Sequence, residues 1–270
     1  MSLSKNFISK FHKKYGEWAV ITGASSGIGK WLAIEVAKCG INVLLVARNT
    51  TALERLKEEI QKKYQVKAAV LGMDLGADPI EAIINATQNK NVGLLIANAG
   101  FGTSGYFINS SIHEELNMLE VNCRALLEMT HYFSQYFAEK QQGGIILMSS
   151  MVGFQGTPYT AHYAATKAYV QSLAEGLYHE LKEKNVDVLA AAPGPVATSF
   201  AKRANMVMDG VMKPEDLSSE ILKALGSKMT VLPGGLTKLL VYSLRTVQRW
   251  AKIRIMKLVM GGMTKHQQAT

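Results

Sequence analysis

Cysteine is scarce in this chain of 270 residues, which has only Cys39 and Cys123, far apart and outside any C-x-x-C spacing. A disulfide framework is therefore not indicated, and a reducing, cytoplasmic setting is favoured. No run of about 18 apolar residues occurs, and the basic N-terminus lacks the apolar stretch of a signal peptide, so we expect neither a membrane span nor export. The histidines show no paired ligand spacing, and we expect no metal site.

Acidic residues are missing from one end of the chain. Residues 221 to 270 hold nine Lys or Arg and no Asp or Glu, whereas the whole chain has 30 basic and 21 acidic residues. Within that segment, Lys238, Arg245, Arg249 and Lys252 recur among apolar residues at helical spacings, which predicts one basic helical face. Such a helix could lie on an anionic membrane, or its apolar side could pack against the body or a second subunit. No nucleic-acid recognition motif accompanies the charge, so nucleic acid is not an expected partner.

Short apolar runs alternate with segments of helical periodicity. The predicted strands are WAVIT (18–22), NVLLVA (42–47), KAAVLGMD (67–74), GLLIANAG (93–100), GGIILMSS (143–150), VDVLAAAPGP (186–195) and MTVL (229–232). The predicted helices are residues 28–39, 51–64, 79–89, 113–139, 158–184 and 214–225. This alternation predicts an α/β fold, a single-domain Rossmann-type, doubly wound parallel sheet of about seven strands with helices on both faces. In such sheets ligands bind beyond the C-terminal strand ends.

The turn after the first strand, TGASSGIG, is rich in glycine. Glycines let the backbone turn tightly and approach a ligand closely, and the following helix N-terminus offers N–H groups and positive potential to a pyrophosphate. The alternative is that the glycines only allow close packing of strand and helix. Its position after a first strand favours a dinucleotide site. The candidate cofactor contacts here are Gly23, Ser25, Ser26, Gly27, Ile28 and Gly29.

The end of the second strand, VARN, offers Arg48 and no carboxylate for the ribose hydroxyls. The planar guanidinium of Arg48 could pair with a 2′-phosphate, which indicates NADP rather than NAD. The alternative is a surface arginine at the start of a loop. Asp74, after the third strand, could accept from the adenine amine or merely begin a turn.

A phenol and an amine lie four residues apart in HYAATKAY, so Tyr163 and Lys167 share one face of a predicted helix. Ser150 lies thirteen residues before Tyr163, and Asn122 a further 28 before that. These residue types suit hydride transfer to or from a carbonyl, which needs a proton in the transition state. A phenol has a pKa of about 10 and is a sluggish acid or base unless a cation such as Lys167 favours its phenolate. Ser150 can hydrogen-bond the carbonyl oxygen, and Asn122 can hold a water that links Lys167 to solvent.

Over about residues 17 to 200 the chain resembles the short-chain dehydrogenases/reductases. The resemblance rests on four motifs in this order: TGASSGIG, NAG, a serine thirteen residues before YAATK, and PGPVAT. The opening KYGEWAVITGASSGIGK is also similar to the branch that holds hydroxysteroid dehydrogenases and long-chain 3-oxoacyl-CoA reductases. One departure is Ala97, where many members have a first Asn before NAG.

The resemblance implies a catalytic tetrad of Asn122, Ser150, Tyr163 and Lys167, with Lys167 also binding the nicotinamide ribose. It implies further cofactor contacts at Asp74, Leu75, Asn98, Ala99, Gly100, Pro193, Gly194, Val196 and Thr198. The expected substrate contacts are Ser150, Tyr163 and Phe200. The implied organisation is a basic N-terminal extension (1–16), a catalytic domain (17–232) with a lid at about 195–213, and a basic amphipathic C-terminal segment (233–270). We also expect a homodimer or homotetramer.

The leading hypothesis is an NADP(H)-dependent oxidoreductase that acts on an apolar carbonyl compound, such as a 3-oxoacyl, steroid-like or aromatic substrate, with Tyr163 as general acid/base. Met and Phe side chains in the lid suit a pliable apolar pocket, although they could equally pack an ordinary helix. One alternative is a catalytically weak cofactor-sensing or membrane-associated scaffold on the same fold. Another is an epimerase or dehydratase, which would consume no net cofactor.

Overall fold

The computed structural model describes residues 3–208 and 211–267 and is built on one parallel sheet of seven strands. The order across the sheet is β3-β2-β1-β4-β5-β6-β7. The strands are β1 (Trp18–Thr22), β2 (Asn42–Ala47), β3 (Ala68–Gly72), β4 (Val92–Ala97), β5 (Gly143–Met148), β6 (Val186–Ala191) and β7 (Thr230–Val231). The predicted doubly wound parallel sheet is confirmed, and each strand lies within its predicted run except for β4, which begins one residue earlier.

Helices cover both faces of this sheet. The α-helices of the described residues are α1 (Lys5–Tyr15), α2 (Gly27–Lys38), α3 (Thr50–Tyr64), α4 (Glu81–Thr87), α5 (Ile112–Leu119), α6 (Ala125–Lys140), α7 (Ala161–Lys182), α8 (Ser199–Arg203), α9 (Pro214–Ala224), α10 (Gly235–Ser243) and α11 (Arg249–Met263). Buried side chains of α2, α3 and α9 form one apolar core with one side of the sheet. Buried side chains of α4, α6 and α7 form a second core with the other side. Strands such as β4 and β5 are buried along their whole length because both of their faces meet helices.

The strand order reverses between β1 and β4, and this reversal positions the site. β1 and β4 are parallel neighbours in the sheet, but the helices that follow them cover opposite faces of the sheet. The connections after β1 and β4 therefore diverge and leave a crevice beyond the carboxyl ends of the strands.

Helix α1 lies before the first strand, within the segment 1–16 that was predicted only as a basic extension. Ser4 caps this helix by accepting from the backbone N–H of Phe7 (3.3 Å). Phe11 and Tyr15 are buried in the same apolar core as α2, and the Tyr15 hydroxyl donates to Asp187 at 2.7 Å. Burial and the adjacent carboxylate both raise the pKa of Tyr15. The basic residues of this segment therefore surround an apolar face that packs on the body.

The predicted helix at residues 113–139 is present, but a π-helical turn at Glu120–Arg124 divides it into α5 and α6. Such a turn inserts one extra residue into the hydrogen-bond ladder and shifts the side chains that follow it around the helix axis. Periodicity alone could not locate it, because the apolar spacing on either side remains helical.

The C-terminal segment folds back over the carboxyl edge of the sheet as α10 and α11, which we call the cap helices (235–263). Their inner sides are packed on the body, with Thr237, Met256 and Met260 buried. None of the helices in the described part of the chain is long and apolar enough to cross a membrane.

Candidate active site

One large cavity, of about 890 Å³, opens beyond the carboxyl ends of β1, β2, β4, β5 and β6. It brings together nearly all of the predicted site residues. The members that line it are Gly23, Ser25, Ser26, Gly27, Ile28, Arg48, Asp74, Leu75, Asn98, Ala99, Gly100, Ser150, Tyr163, Lys167, Pro193, Gly194, Val196, Thr198 and Phe200. Gly29 and Asn122 lie behind the cavity wall and act on it through their neighbours.

The glycine turn needs its glycines for two distinct reasons. Gly23 has φ +66° and Gly27 has φ +55°, in the left-handed region that side chains other than glycine rarely adopt. Gly29 has an ordinary φ, but a Cβ there would collide with the carbonyl oxygen of Gly23 and the side-chain amide of Asn98. The turn is therefore pressed against the end of β4, and it presents the N-terminus of α2 to the cavity. This arrangement fits a dinucleotide pyrophosphate.

Thr22 and Asn98 tie the two central strands together under this turn. The Thr22 hydroxyl accepts from the backbone N–H groups of Asn98 and Ala99, both at 3.0 Å. The Asn98 side chain donates to the carbonyl oxygen of Thr22 at 3.0 Å. The Asn98 amide thus fixes the shape of the cofactor turn from behind. The resemblance implied a cofactor contact at Asn98, and sequence reasoning did not single out Thr22.

Tyr163 and Lys167 project from the first turns of α7 toward the end of β5. Ser150 lies close enough to the Tyr163 phenol to lower its pKa, and the Lys167 ammonium lies 5.8 Å from the centre of the Tyr163 ring. The ammonium donates to the carbonyl oxygen of Met148 at 2.8 Å, and the Ser149 hydroxyl donates to the Lys167 carbonyl at 3.0 Å. These contacts join α7 to the end of β5, so the sheet holds the phenol and the amine in place.

Burial dominates the protonation of this pair. It raises the pKa of Tyr163 to about 12, although the hydrogen bond from Ser150 acts in the opposite direction. Burial also lowers the pKa of Lys167 to about 8. The sequence argument expected the cation to favour the phenolate, whereas the protein alone favours the phenol, because desolvation penalises both charged forms.

Asn122 lies in the π-helical turn and is completely buried. Its side-chain NH₂ donates to the Phe101 carbonyl (2.8 Å) and to the Thr166 hydroxyl (3.0 Å), and its oxygen accepts from the Phe101 N–H (3.1 Å). Both amide donors are therefore used by the protein, and one oxygen lone pair is left for any other partner. The Asn122 side chain connects the loop after β4 to α7, directly behind Lys167.

The outer end of the cavity is basic. Arg48, which is 56% exposed, forms a 3.5 Å ion pair with Asp74. Arg203, on α8, stacks on the Phe101 ring at 3.7 Å, and its pKa is lowered first by burial and then by the charge of Arg48. Two guanidinium groups from different elements thus face the same region. Arg203 was not predicted, because a single arginine in a loop carries no sequence signal.

The inner end of the cavity is apolar and includes residues that sequence reasoning did not place there. Phe200, a predicted substrate contact, packs against the Tyr163 ring in a tilted arrangement with 5.2 Å between centroids. The cap helices contribute Leu240, Leu244, Ile255, Met256, Val259, Met260 and Met263 to the lining. The apolar periodicity of residues 236–260 was visible in the sequence, but nothing in it indicated that this face covers the carboxyl edge of the sheet. The predicted lid at 195–213 includes α8; residues 209 and 210 lie outside the described residues.

A buried carboxylate supports the loop beside Tyr163. Glu115, which is 3% exposed, interacts with His162 Nδ1 at 2.6 Å and accepts from the Thr103 hydroxyl at 2.9 Å. These bonds link α5, α7 and the loop after β4. No group of three His, Cys, Asp or Glu side chains within residues 3–208 and 211–267 is arranged to hold a metal ion.

A glycine turn at the reversal point of a doubly wound sheet, next to a buried tyrosine, lysine and serine, defines a nicotinamide-dinucleotide-dependent oxidoreductase. The chain belongs to the short chain dehydrogenase family, whose model matches residues 17–208.

Known proteins similar to this chain include steroid-acting members of that family. It is 33% identical over 233 residues to a 7β-hydroxysteroid dehydrogenase of Clostridium sardiniense, covering 84% of this chain and 89% of the relative. A solved structure from work on 7β-hydroxysteroid dehydrogenase stereoselectivity has a TM-score of 0.83 at 27% identity, over 91% of this chain and 98% of that one. A short-chain dehydrogenase from Sphingobium yanoikuyae in complex with NADPH has a TM-score of 0.76 at 27% identity, over 91% and 94% of the two chains.

Proposed function

We propose that this protein transfers hydride between NADP(H) and the carbonyl or alcohol carbon of an apolar substrate. The observation that carries the proposal is the Tyr163 phenol, which lies beside Ser150 and is backed by the buried Lys167 ammonium at the apolar end of the cavity. A hydride acceptor carbonyl needs a proton donor and a hydrogen-bond donor at its oxygen, and these two hydroxyls supply both.

The protonation states suit the direction of carbonyl reduction. With a pKa of about 12, Tyr163 keeps its proton at neutral pH and has it available for the nascent alkoxide. When Tyr163 donates, the charge left on its oxygen is stabilised by the Ser150 hydrogen bond and the nearby Lys167 cation. Lys167 is itself protonated below a pKa of about 8, so it provides this charge under neutral conditions. Asn122 positions Lys167 from behind through α7.

The shape of the turn after β1 supports binding of the dinucleotide in this cavity. A Cβ on Gly23, Gly27 or Gly29 would collide with protein atoms packed against the turn, so the glycines hold its tight shape. The N-terminus of α2 would supply N–H groups for the pyrophosphate. The nicotinamide end would lie against Pro193, Gly194, Val196 and Thr198, beside Tyr163. When bound, the nicotinamide supplies or accepts the hydride.

The basic outer end of the cavity supports NADP over NAD. Arg48 directly follows β2, at a position where an NAD-specific site would carry a carboxylate for the ribose hydroxyls. Its guanidinium is more than half exposed, so it is accessible to a 2′-phosphate, and Arg203 adds a second positive group nearby. Asp74 pairs with Arg48 and keeps it oriented, and it is also the predicted partner of the adenine amine.

The apolar lining supports a bulky, lipid-like substrate. Phe200, Met206, Leu240, Ile255 and Met256 all line the cavity. A cavity of about 890 Å³ with such walls is large enough for a steroid-like, long 3-oxoacyl or aromatic carbonyl compound in addition to part of the cofactor. We propose these three classes as the substrates to test.

The decisive experiment follows the absorbance of reduced nicotinamide with a panel of steroid ketones, 3-oxoacyl thioesters and aromatic aldehydes. Tyr163→Phe removes only the phenolic oxygen and should lower kcat by about 100-fold or more. Tyr178→Phe, on the same helix but outside the cavity, is the matched control and should keep wild-type turnover. Equal activity of the two variants would contradict the assigned role of Tyr163.

Cofactor preference is tested with Arg48→Ala against Arg55→Ala, a matched exposed arginine on α3. Loss of charge-assisted hydrogen bonds to a 2′-phosphate should raise KM for NADPH by about tenfold or more and leave KM for NADH unchanged. An equal effect on both cofactors would mean that Arg48 does not read the phosphate.

The scaffold alternative makes a different prediction in the same assay. A catalytically weak member of this fold would bind NADPH, seen as a change in cofactor fluorescence, yet turn over none of the carbonyl panel in either direction. An epimerase or dehydratase would convert substrate without net change in cofactor absorbance. The intact tyrosine, lysine, serine and asparagine favour the oxidoreductase.

We also propose a homodimer or homotetramer. Ile112, Leu116, Leu119 and Leu127 on α5 and α6 are all more than 40% exposed and form an apolar surface away from the cavity. Such a surface suits contact with a second copy. Sedimentation equilibrium should give a multiple of the 29.5 kDa chain mass, and a monomer throughout would refute the proposal.

A further inference from the structure

The outer side of the cap helices exposes large apolar side chains, although a surface in contact with water is usually polar. Their inner side is fixed to the body, because the Gly194 N–H donates to the buried Thr237 hydroxyl (3.1 Å) and Lys238 pairs with Glu220 (2.5 Å). Their outer side is rich in exposed apolar residues. Leu239 is 66% exposed, Tyr242 57%, Trp250 57% and Leu258 79%. Several large apolar groups exposed together mark an interaction surface rather than chance exposure.

Basic side chains lie among these apolar ones. On α11, Trp250, Arg254, Lys257 and Leu258 are all exposed and spaced i, i+4, i+7 and i+8, so they form one outward stripe. The Arg254 guanidinium lies 4.9 Å from the Trp250 ring, so charge and apolar surface are directly adjacent. Arg245, between the cap helices, is also exposed.

The same surface adjoins the cavity. Ile255 and Val259 line the cavity, yet they are 38% and 43% exposed. They therefore lie at its mouth, roughly a third of a turn around α11 from the outward stripe. Ser243 and Leu244 line the cavity from the other cap helix.

The positive charge of residues 221–270 indicates which kind of partner binds the outer side of the cap helices. Residues 221–270 contain nine Lys or Arg and no Asp or Glu. A twofold contact between two cap surfaces would bring like charges together, since each copy presents the same patch. A nucleic acid would match the charge but would leave the leucines uncovered. An anionic lipid surface would match the positive charge and also cover the apolar side chains, because leucine and tryptophan enter the acyl boundary while the cations remain at the headgroups.

We propose that the outer face of the cap helices (235–263) binds an anionic membrane surface, with the cavity mouth turned toward the lipid. The binding is peripheral, through one layer of side chains, and needs neither cofactor nor catalytic turnover. If the proposed function also holds, an apolar substrate dissolved in the lipid could reach the cavity without crossing bulk water.

The test is co-sedimentation of the full chain with phosphatidylcholine vesicles, with and without about 30% phosphatidylserine, at about 0.15 M salt. Wild type should bind the anionic vesicles at least about tenfold more tightly than the neutral ones and be released at about 1 M salt. Arg254→Gln/Lys257→Gln should weaken binding by about tenfold, and so should Leu239→Ser/Leu258→Ser. Arg55→Gln/Lys62→Gln, two exposed basic residues on α3, is the matched control and should bind as wild type.

Three outcomes would overturn the proposal. The first is wild type that remains in the supernatant with anionic vesicles. The second is an equal loss of binding in the α3 control, which would indicate attraction by total charge alone. The third is a change of oligomeric state in Leu239→Ser/Leu258→Ser without vesicles, which would assign the surface to a second copy. Because no arm measures turnover, none of these results depends on the proposed reaction.

Discussion

Replacing the buried lysine of the site with methionine should make the protein more stable while destroying its activity. Lys167 is 4% exposed, and its side chain is placed in the core beside Cys123 and below Tyr163. Burial lowers its pKa from 10.5 to about 8. Folding therefore works against the charged amine, and methionine fills a similar volume without a charge.

The magnitude follows from the pKa difference. Each unit corresponds to about 1.4 kcal/mol, so keeping the ammonium protonated at pH 7 costs about 3 kcal/mol of the free energy of unfolding. The variant also loses the hydrogen bond to the Met148 carbonyl, which offsets about 1 kcal/mol. Lys167→Met should therefore raise the free energy of unfolding by about 2 kcal/mol at pH 7.

The pH dependence gives the prediction its sign. Between pH 8 and pH 10.5 the unfolded chain binds more protons at this lysine than the folded one, so the destabilisation that Lys167 causes in the wild type shrinks with rising pH in that window. The methionine variant lacks this contribution. Its advantage should therefore shrink to about 1 kcal/mol at pH 9.

Urea denaturation of the cofactor-free proteins at pH 7 and pH 9 measures both values. Lys62→Met, an exposed lysine on α3, is the matched control and should change stability by less than about 0.5 kcal/mol at either pH. A Lys167→Met variant less stable than wild type at pH 7, or one whose advantage is the same at both pH values, would refute the reasoning. Its carbonyl reduction should be undetectable, because the site keeps this lysine for function at the expense of stability.

Three further results are expected. Gly29→Ala should lower stability by about 1–3 kcal/mol and weaken NADPH binding, because the added Cβ meets the turn behind the pyrophosphate site. Thermal melting measures the stability and fluorescence titration measures the affinity for NADPH. An unchanged affinity would contradict the steric argument. Asn122→Ala leaves the Phe101 N–H and carbonyl without their partner and should lower stability by about 2 kcal/mol, whereas wild-type denaturation would show that water replaces the amide. The kcat for carbonyl reduction should stay level from pH 6 to 7 and fall above a pKa of about 8 as Lys167 loses its proton. A decline that begins only near pH 12 would mean that the ionisation of Tyr163, and not that of Lys167, limits kcat.

The spacing of the motifs was sufficient to predict where the site would form. Parallel strands all end at one edge of the sheet, so residues that follow β1, β2, β4, β5 and β6 must meet there whatever the helices between them do. This is why Gly23, Arg48, Ser150 and Tyr163 line the same cavity. The helical spacing of Tyr163 and Lys167 likewise placed both side chains on one face of α7.

Other features of the site depended on packing that no local pattern records. The π-helical turn that holds Asn122, the stacking of Arg203 on Phe101, and the Glu115 interaction with His162 each join elements distant in the sequence. The pKa of Tyr163 is a further example, because the local pattern showed a helpful cation and could not show how completely the pair is buried.

The sequence by itself therefore determined the family and the parallel sheet and indicated the candidate reacting groups, because these depend on local order and on residue types. Only the tertiary structure decided which surfaces close the cavity. The cap helices carry the same amphipathic pattern whether they lie on a membrane, on another subunit or on the body. Their place over the carboxyl edge of the sheet is set by contacts such as those of Thr237 and Met256, which exist only once the sheet has formed.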